Sequence, residues 1–513
     1  MPPAPRRLLL ALVAGLVLAA GAVAGCASSS SGGGGSDPAS LVPASAPLYA
    51  EAVLGGDSQE QADAQAALAK ILRTADPRGE LVKAFDRGNV NFARDVEPWL
   101  GDRVGAAALS LGPRGDKVVV AASRDDDAAR DALTRLAPNA AARSYRGVDY
   151  RLDTRRGKAA GVVDGFVVLG SENALKAAVD ASKGSSLAES DALKDARAKV
   201  RAERSAFLYV DVAGFLRQAL GAVGGGTAQL APFVEPVALA LPKTIAAALD
   251  AEPGMLRLDS AAFGNGGGFS SGASGADALA ALPADAWLGV GVGDVGGTVN
   301  GFLDKVSAQG GIAGVGLQAL LGQAQQGLGL DIRRDLLGWM GDAGIYVAGT
   351  TNADRRAALV IASKDSAATQ RAVRALEPLA RRSGDVTALR APGVDEGFAV
   401  RRDHGDDEVL VAAAGNRFVV ALGRRALAEA IASGGSRLGD AGAFRAAAAK
   451  LGGDVKPSFF LDVQKLGRVA ASKHGGGDRS RELREYLGAF DAVIGGSRRD
   501  GDLNRGAAVA TLR

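Results

Sequence analysis

The chain has 513 residues, 47% of them apolar and 23% charged. That balance is globular and excludes both a disordered chain and a polytopic membrane protein, while the length predicts at least two domains. Lysine and arginine total 60 against 57 aspartates and glutamates, mixed throughout with no basic stripe carrying aromatics, so nucleic acid is excluded as a partner. Two histidines and one cysteine leave no material for a histidine-rich or thiolate metal site, and none for an intramolecular disulfide. Aromatics are 5% of the chain and glycines number 71, so the core must pack mainly with Ala, Leu and Val, and many turns are open to positive φ.

Residues 1–25 have the layout of a secretory signal peptide: Arg6 and Arg7, an apolar run from Leu8, then Ala22-Val23-Ala24-Gly25 directly before Cys26. The stretch Val23-Ala24-Gly25-Cys26 resembles the lipobox of bacterial lipoproteins. In those proteins the peptide is cut before the cysteine, whose thiol takes a diacylglycerol. The resemblance implies lipidation at Cys26 and a chain held at the extracytoplasmic face of the cell membrane, with two or more acyl chains making the anchor stable. An uncleaved apolar helix is the alternative, because a run of about 18 residues can span a bilayer. Without Arg6 and Arg7 the mature chain is close to neutral. Residues 26–40 form a Ser/Gly-rich tether. From Ala27 to Asp37 no apolar side chain exceeds Ala, so burial cannot offset the entropy of ordering, and a root-mean-square reach of roughly 20 Å keeps the body near the membrane.

Beyond the tether the chain reads twice. Leu41-Val42-Pro43-Ala44 and a strand over Leu48 to Leu54 return as Ala281-Leu282-Pro283-Ala284 and a strand over Trp287 to Val292. A helix over Gln59 to Thr74 carries Ala64, Ala67, Leu68, Ile71 and Leu72 on one face. Pro98-Trp99-Leu100-Gly101-Asp102 ends a helix and returns 240 residues later as Gly338-Trp339-Met340-Gly341-Asp342. Gly101 and Gly341 are read as left-handed residues closing those helices, and Asp102 and Asp342 as turn residues. Strands at Val118 to Ser123 and Ala358 to Ser363 lead into helices opened by Asp125-Asp126-Asp127 and Lys364-Asp365-Ser366, where carboxylates suit both capping and the helix dipole.

Hairpins follow at Tyr150 to Asp153 with Ala159 to Val163, and at Phe398 to Arg402 with Val409 to Ala413. Then come strands at Phe166 to Gly170 and Phe418 to Leu422, each before an Ala-rich helix, and strands at Phe207 to Asp211 and Phe459 to Asp462. The halves end on Met255 to Phe263 and Leu503 to Leu512. The predicted fold class is α+β: two homologous tandem domains, each a mostly antiparallel or mixed sheet with helices packed on it. Domain one spans 41–263, a Gly/Ser-rich linker 264–281, and domain two 282–513. The Trp-Leu-Gly-Asp stretch, the Leu-Val-Pro-Ala opening and the two-copy layout resemble a bacterial family catalogued as domain of unknown function 3352. That resemblance implies an exported or membrane-attached protein and brings no catalytic residues with it.

The motifs with chemical potential each have a bland reading. Asp403-His404-Gly405-Asp406-Asp407-Glu408 could coordinate a cation, but it falls at a hairpin tip whose counterpart, Thr154-Arg155-Arg156-Gly157, has opposite charge. Gly291-Val292-Gly293-Asp294-Val295-Gly296 fits a dinucleotide loop, yet no acidic residue occurs between Val306 and Leu330. Gly268-Phe269-Ser270-Ser271-Gly272 fits a nucleophile elbow but lies in the linker. Asp211 and Asp462 end equivalent strands and read as helix N-caps rather than paired site carboxylates. The apolar stretches Val212 to Asp250 and Val306 to Leu330 read as buried helices, or else as the wall of a lipid cavity or a membrane-contacting surface.

The expectation is therefore a lipid-anchored, non-enzymatic binding or structural protein of the cell envelope, with Cys26 its one site residue and no cofactor or metal. Its partners are the membrane and an apolar ligand or envelope protein. A carrier or sensor of a lipid-like ligand is the first alternative, and a hydrolase is the weakest for want of a nucleophile–base pair.

Overall fold

The computed structural model describes residues 37–54, 59–85, 90–111, 115–202, 204–223, 241–264, 273–308, 322, 325, 331–351, 353–382, 385–401, 408–432, 434–473 and 486–513. Contacts divide the chain into two compact units, residues 1–238 with 242–264, and 239–241 with 265–513.

The first unit contributes strands β1 (Leu48–Val53), β2 (Leu100–Ala108), β3 (Lys117–Ser123), β4 (Ala141–Tyr145), β5 (Val148–Asp153), β6 (Lys158–Val163), β7 (Phe166–Ser171), β8 (Ala206–Asp211), β9 (Thr244–Glu252) and β10 (Met255–Phe263). They lie in the order β4-β5-β6-β7-β3-β2-β1-β8-β9-β10. The second contributes β11 (Leu288–Val292), β12 (Met340–Ala348), β13 (Arg356–Ser363), β14 (Asp385–Ala388), β15 (Glu396–Arg401), β16 (Glu408–Ala414), β17 (Arg417–Leu422), β18 (Pro457–Asp462), β19 (Phe490–Asp500) and β20 (Leu503–Leu512). Their order is β14-β15-β16-β17-β13-β12-β11-β18-β19-β20.

These strands correct the expected fold class. Instead of two homologous tandem domains, each on its own mostly antiparallel or mixed sheet, the chain builds a single 20-stranded sheet with helices, and these pairings are all antiparallel. Periodicity locates strands along a chain but does not count the sheets they share. Tight hairpins exclude parallel neighbours: Arg146-Gly147 and Asp164-Gly165 join strands with both residues at positive φ, as the right-handed twist of a hairpin demands.

Alternation decides the cores. In the first unit Val118, Val120, Phe166 and Val168 point to one face, under Leu175 and Val179 of the helix Glu172–Ser182 and Leu193 of Asp191–Lys199. Ala121 and Val167 point to the other, against Trp99 and the helix Asp126–Leu136. Both faces are covered, so Phe166-Val167-Val168 is apolar without a break. In the second unit Trp339, Ile361 and Phe418 pack under Ala372 and Val373 of the helix Ser366–Ala380. Asp125 and Asp365 cap their helices, accepting from the backbone N–H of Ala128 and Ala368 at 2.9 Å each.

Both tryptophans sit on the same local framework. Trp99 Nε1 donates to Asp95 O at 2.7 Å, and Trp339 Nε1 to Asp335 O at 3.0 Å. The Asp95 carboxylate accepts from the Arg94 side chain and the Asn91 N–H, as Asp335 accepts from Arg334 and the Asp331 N–H. Gly101 and Gly341 are not left-handed closing residues. They lie within β2 and β12, where a Cβ would come 3.0 Å from Ala122 O and 2.9 Å from Ala362 O. Asp102 and Asp342 are accordingly strand residues.

Candidate functional site

In the second unit a cleft of about 400 Å³ opens on one face of the sheet. Its floor is Asp342, Gly344 and Tyr346 of β12, Val360 and Ala362 of β13, and Arg417 of β17. One wall is the chain from Ala278 to Pro283, and the other is Glu429 and Ala430 of the helix Gly423–Ile431, with Arg437 beyond it.

Register explains why the cleft exists here. Arg417 pairs with Ala362 as Phe166 pairs with Ala122 in the first unit, and Phe166 is buried there. Thirteen residues past each stand Ala430 and Val179. The wall opposite is held alike in both units, Leu438 N–H donating to Leu282 O and Leu187 N–H to Val42 O, each at 2.7 Å. The residue before that carbonyl is Ala281 in the second unit and the buried Leu41 in the first. Three apolar side chains, Phe166, Val179 and Leu41, become Arg417, Ala430 and Ala281, and the two alanines leave room where the cleft lies. A tyrosine changes strand at the same place: Tyr49 on β1 faces Ala107, whereas Gly289 on β11 faces Tyr346 on β12.

The polar groups are held firmly. Arg417 Nη1 donates to Ala430 O and Ala432 O at 2.9 and 3.2 Å. Arg437 donates from Nη1 to Ala281 O at 3.0 Å and from Nη2 to Ala432 O at 3.3 Å. Glu429 takes Arg356 Nε at 2.8 Å, and Arg356 also pairs with Asp285. Asp342 Oδ1 accepts the Asp294 N–H at 2.8 Å. Tyr346 OH donates to Ala426 O at 3.1 Å. Burial, with the Glu429 charge adding to it, pushes that phenol well above its usual range. The first unit has a wider, more open groove of about 780 Å³ between β4–β6 and the helix Asp126–Leu136, with Arg130, Arg143 and Arg151 along it.

The sequence-predicted residues do not converge on the cleft. Cys26, the stretches 268–272 and 402–407, and most of 306–330 lie outside the described residues. The stretch from Val212 is helical at first, Val212–Val223, but its last part is the strand β9. Asp462 caps its helix through Lys465 N–H at 2.9 Å, and Asp211 directly precedes the helix Val212–Val223. The glycines at 291, 293 and 296 do sit between a strand and a helix, but their faces are taken by the chain itself. A Cβ at each would meet Gly275 O, Ala273 O or Leu337 O within 2.5 Å, leaving no room for a pyrophosphate. β11 is moreover antiparallel to both neighbours, unlike the strands of a dinucleotide-binding fold. Among the described residues no cluster of three or more His, Cys, Asp or Glu is placed to hold a metal, and no helix is long and apolar enough to cross a membrane. Asp342, Arg417, Glu429 and Arg437 went unnoticed as site residues; a signal was available for Arg417, which stands where the first half carries Phe166.

A profile of the family described as "Protein of unknown function (DUF3352)" matches residues 9–474. Curated proteins return no match. Among solved structures, crystal forms I, IV and III of TP0453 align at 10% identity and a TM-score of 0.25, covering 45%, 44% and 44% of this chain and 79%, 80% and 79% of theirs.

Proposed function

We propose, for a chain that belongs to this family of proteins of unknown function, a binding role in the cell envelope: a lipid-anchored protein that takes a small ligand in the cleft of its second unit. The observation that carries the reading is the cleft, whose volume suits a small molecule and whose lining sets charged groups, Asp342, Arg417, Glu429 and Arg437, beside apolar surface from Leu282, Pro283, Val360 and Ala362. Its lining has no serine, threonine, cysteine, histidine or lysine, so no serine–histidine, cysteine–histidine or serine–lysine pair can be drawn from it.

Anchoring at Cys26 completes the proposal. Ten residues separate Cys26 from Asp37. Asp37 is fixed to the body, capping Pro38–Leu41 and pairing with Arg197 at 2.5 Å. The lipidated position would thus stand close to a rigid attachment point. The bonds that recur 240 residues apart at Trp99 and Trp339 support an internally repeated chain, one of whose two matching places has opened for a ligand.

Native mass spectrometry of the full chain released from membranes tests the reading. The wild type carries a small-molecule adduct, and Ala362→Phe, which places a ring on the exposed floor, loses it. An adduct of equal occupancy in both would refute the cleft as the site.

A further inference from the structure

We infer that the cleft recognises an anionic amphiphile: an aliphatic chain ending in a compact oxyanion, carboxylate or phosphomonoester, gripped by Arg417 and Arg437. The inference rests on the cleft being the binding site.

The two guanidiniums converge on one acceptor, Ala432 O, at the C-terminal end of the helix Gly423–Ile431. Carbonyls at a helix C-terminus attract cations, which explains why the arginines stand there. Neither makes an ion pair among the described residues. A guanidinium has five N–H donors, and the bonds made among the described residues use two on each, while both side chains line the cleft. Because main-chain bonds already fix both side chains, little further ordering is needed to bind, and the planar fork suits a carboxylate or phosphate in bidentate fashion.

The other charges do not cancel this pair. Glu429 is matched by Arg356 at 2.8 Å and Arg425 at 3.4 Å. Asp342 stands on β12, separated by β13 from Arg417 on β17, and receives the Asp294 N–H. Around them Leu282, Pro283, Val360 and Ala362 offer apolar surface. A cationic ligand would meet two arginines, and a neutral alkane would cover guanidinium N–H donors without matching them, at a desolvation cost. An apolar chain with one oxyanion satisfies both surfaces.

Calorimetric titration of the full chain with decanoate, decyl phosphate, decanol and acetate tests this. At least one decyl anion binds, decanol binds about tenfold more weakly or worse, and acetate gives no signal; which anion binds better separates a fatty acid from a phosphorylated source. Arg417→Gln and Arg437→Gln each weaken the anion about tenfold with the denaturation midpoint of Arg437→Gln confirming a folded protein, while the lysine variants recover part of the loss. Decanol binding as tightly as both anions, glutamine variants binding like wild type, or no decyl compound binding would each overturn the inference. Loss of decanol binding in Ala362→Phe would then still leave the cleft as the site. Unchanged probe binding in that variant would remove both readings.

Discussion

Trp339→Ala should destabilise the second unit by about 4–5 kcal/mol. The indole is 2% exposed, and burying so large a side chain removes roughly 200–250 Å² from water. At about 25 cal/mol per Å² this is roughly 5–6 kcal/mol, reduced to about 4 by the partial burial in a realistic unfolded chain. The tilted contact with Phe418, centroids 5.4 Å apart, adds roughly 0.5–1 kcal/mol. Trp99, 7% exposed, should cost slightly less, about 3–4 kcal/mol. Urea unfolding followed by far-ultraviolet circular dichroism reads the change: with a slope of about 3 kcal/mol per M, the Trp339→Ala transition moves down by about 1.5 M. Low exposure also argues against the indoles acting as ligand-stacking platforms. Wild-type midpoints in both alanine variants, with a binding activity lost, would refute the packing argument.

Arg197→Met should cost about 2–3 kcal/mol in urea unfolding, because it leaves Glu51, 9% exposed, with only the more distant Arg204 at 3.7 Å as an ion-pair partner and frees Asp37 from its 2.5 Å pair; an unchanged midpoint would show that the network does not secure the start of the folded body. Asp335 is held at about 2 by the Arg334 side chain and then the Asp331 N–H. A depressed carboxyl stabilises above its unfolded value near 4 and loses that contribution as pH falls through its folded value, so Asp335→Asn should flatten the loss of stability between about pH 4 and 2. Parallel curves for the two proteins would contradict it. Cys26→Ala should yield an uncleaved precursor or a chain no longer membrane-attached as a lipoprotein, and an unmodified Cys26 thiol in the intact mass of the wild-type membrane form would overturn lipidation.

Much of the local structure was legible because it is local. Asp125 and Asp365 announce helix starts, and Phe166-Val167-Val168 announces a strand buried on both faces. β4 and β14 passed unnoticed because Ala141 to Tyr145 and Asp385 to Ala388 are mostly polar or small and little buried; only the Arg146-Gly147 turn marked the first of them. β9 was hidden in an apolar stretch whose alanine spacing fits a helix as well as a strand. Gly101 and Gly341 were misread since a glycine after a helix suits a left-handed closure, whereas here the close carbonyl of the neighbouring strand requires it. The single sheet depends on pairing between distant strands, which no window of sequence contains. The cleft lay within reach of a sharper comparison, because Ala281 aligns with Leu41 at a spacing of 240, but Arg417 aligns with Phe166 at 251. An insertion between them shifts the register, and a fixed spacing misses the substitutions.

The central claim is that the cleft between the chain at Ala278–Pro283 and the helix Gly423–Ile431 holds a ligand. Crystallography of the full chain, purified from its membranes without denaturant and compared with Ala362→Phe, tests it most directly. The account predicts density for a small molecule against Val360 and Leu282 with its anionic end at Arg417 and Arg437, absent from the variant. An empty cleft in the wild type, with a bound molecule elsewhere on the protein, would contradict it.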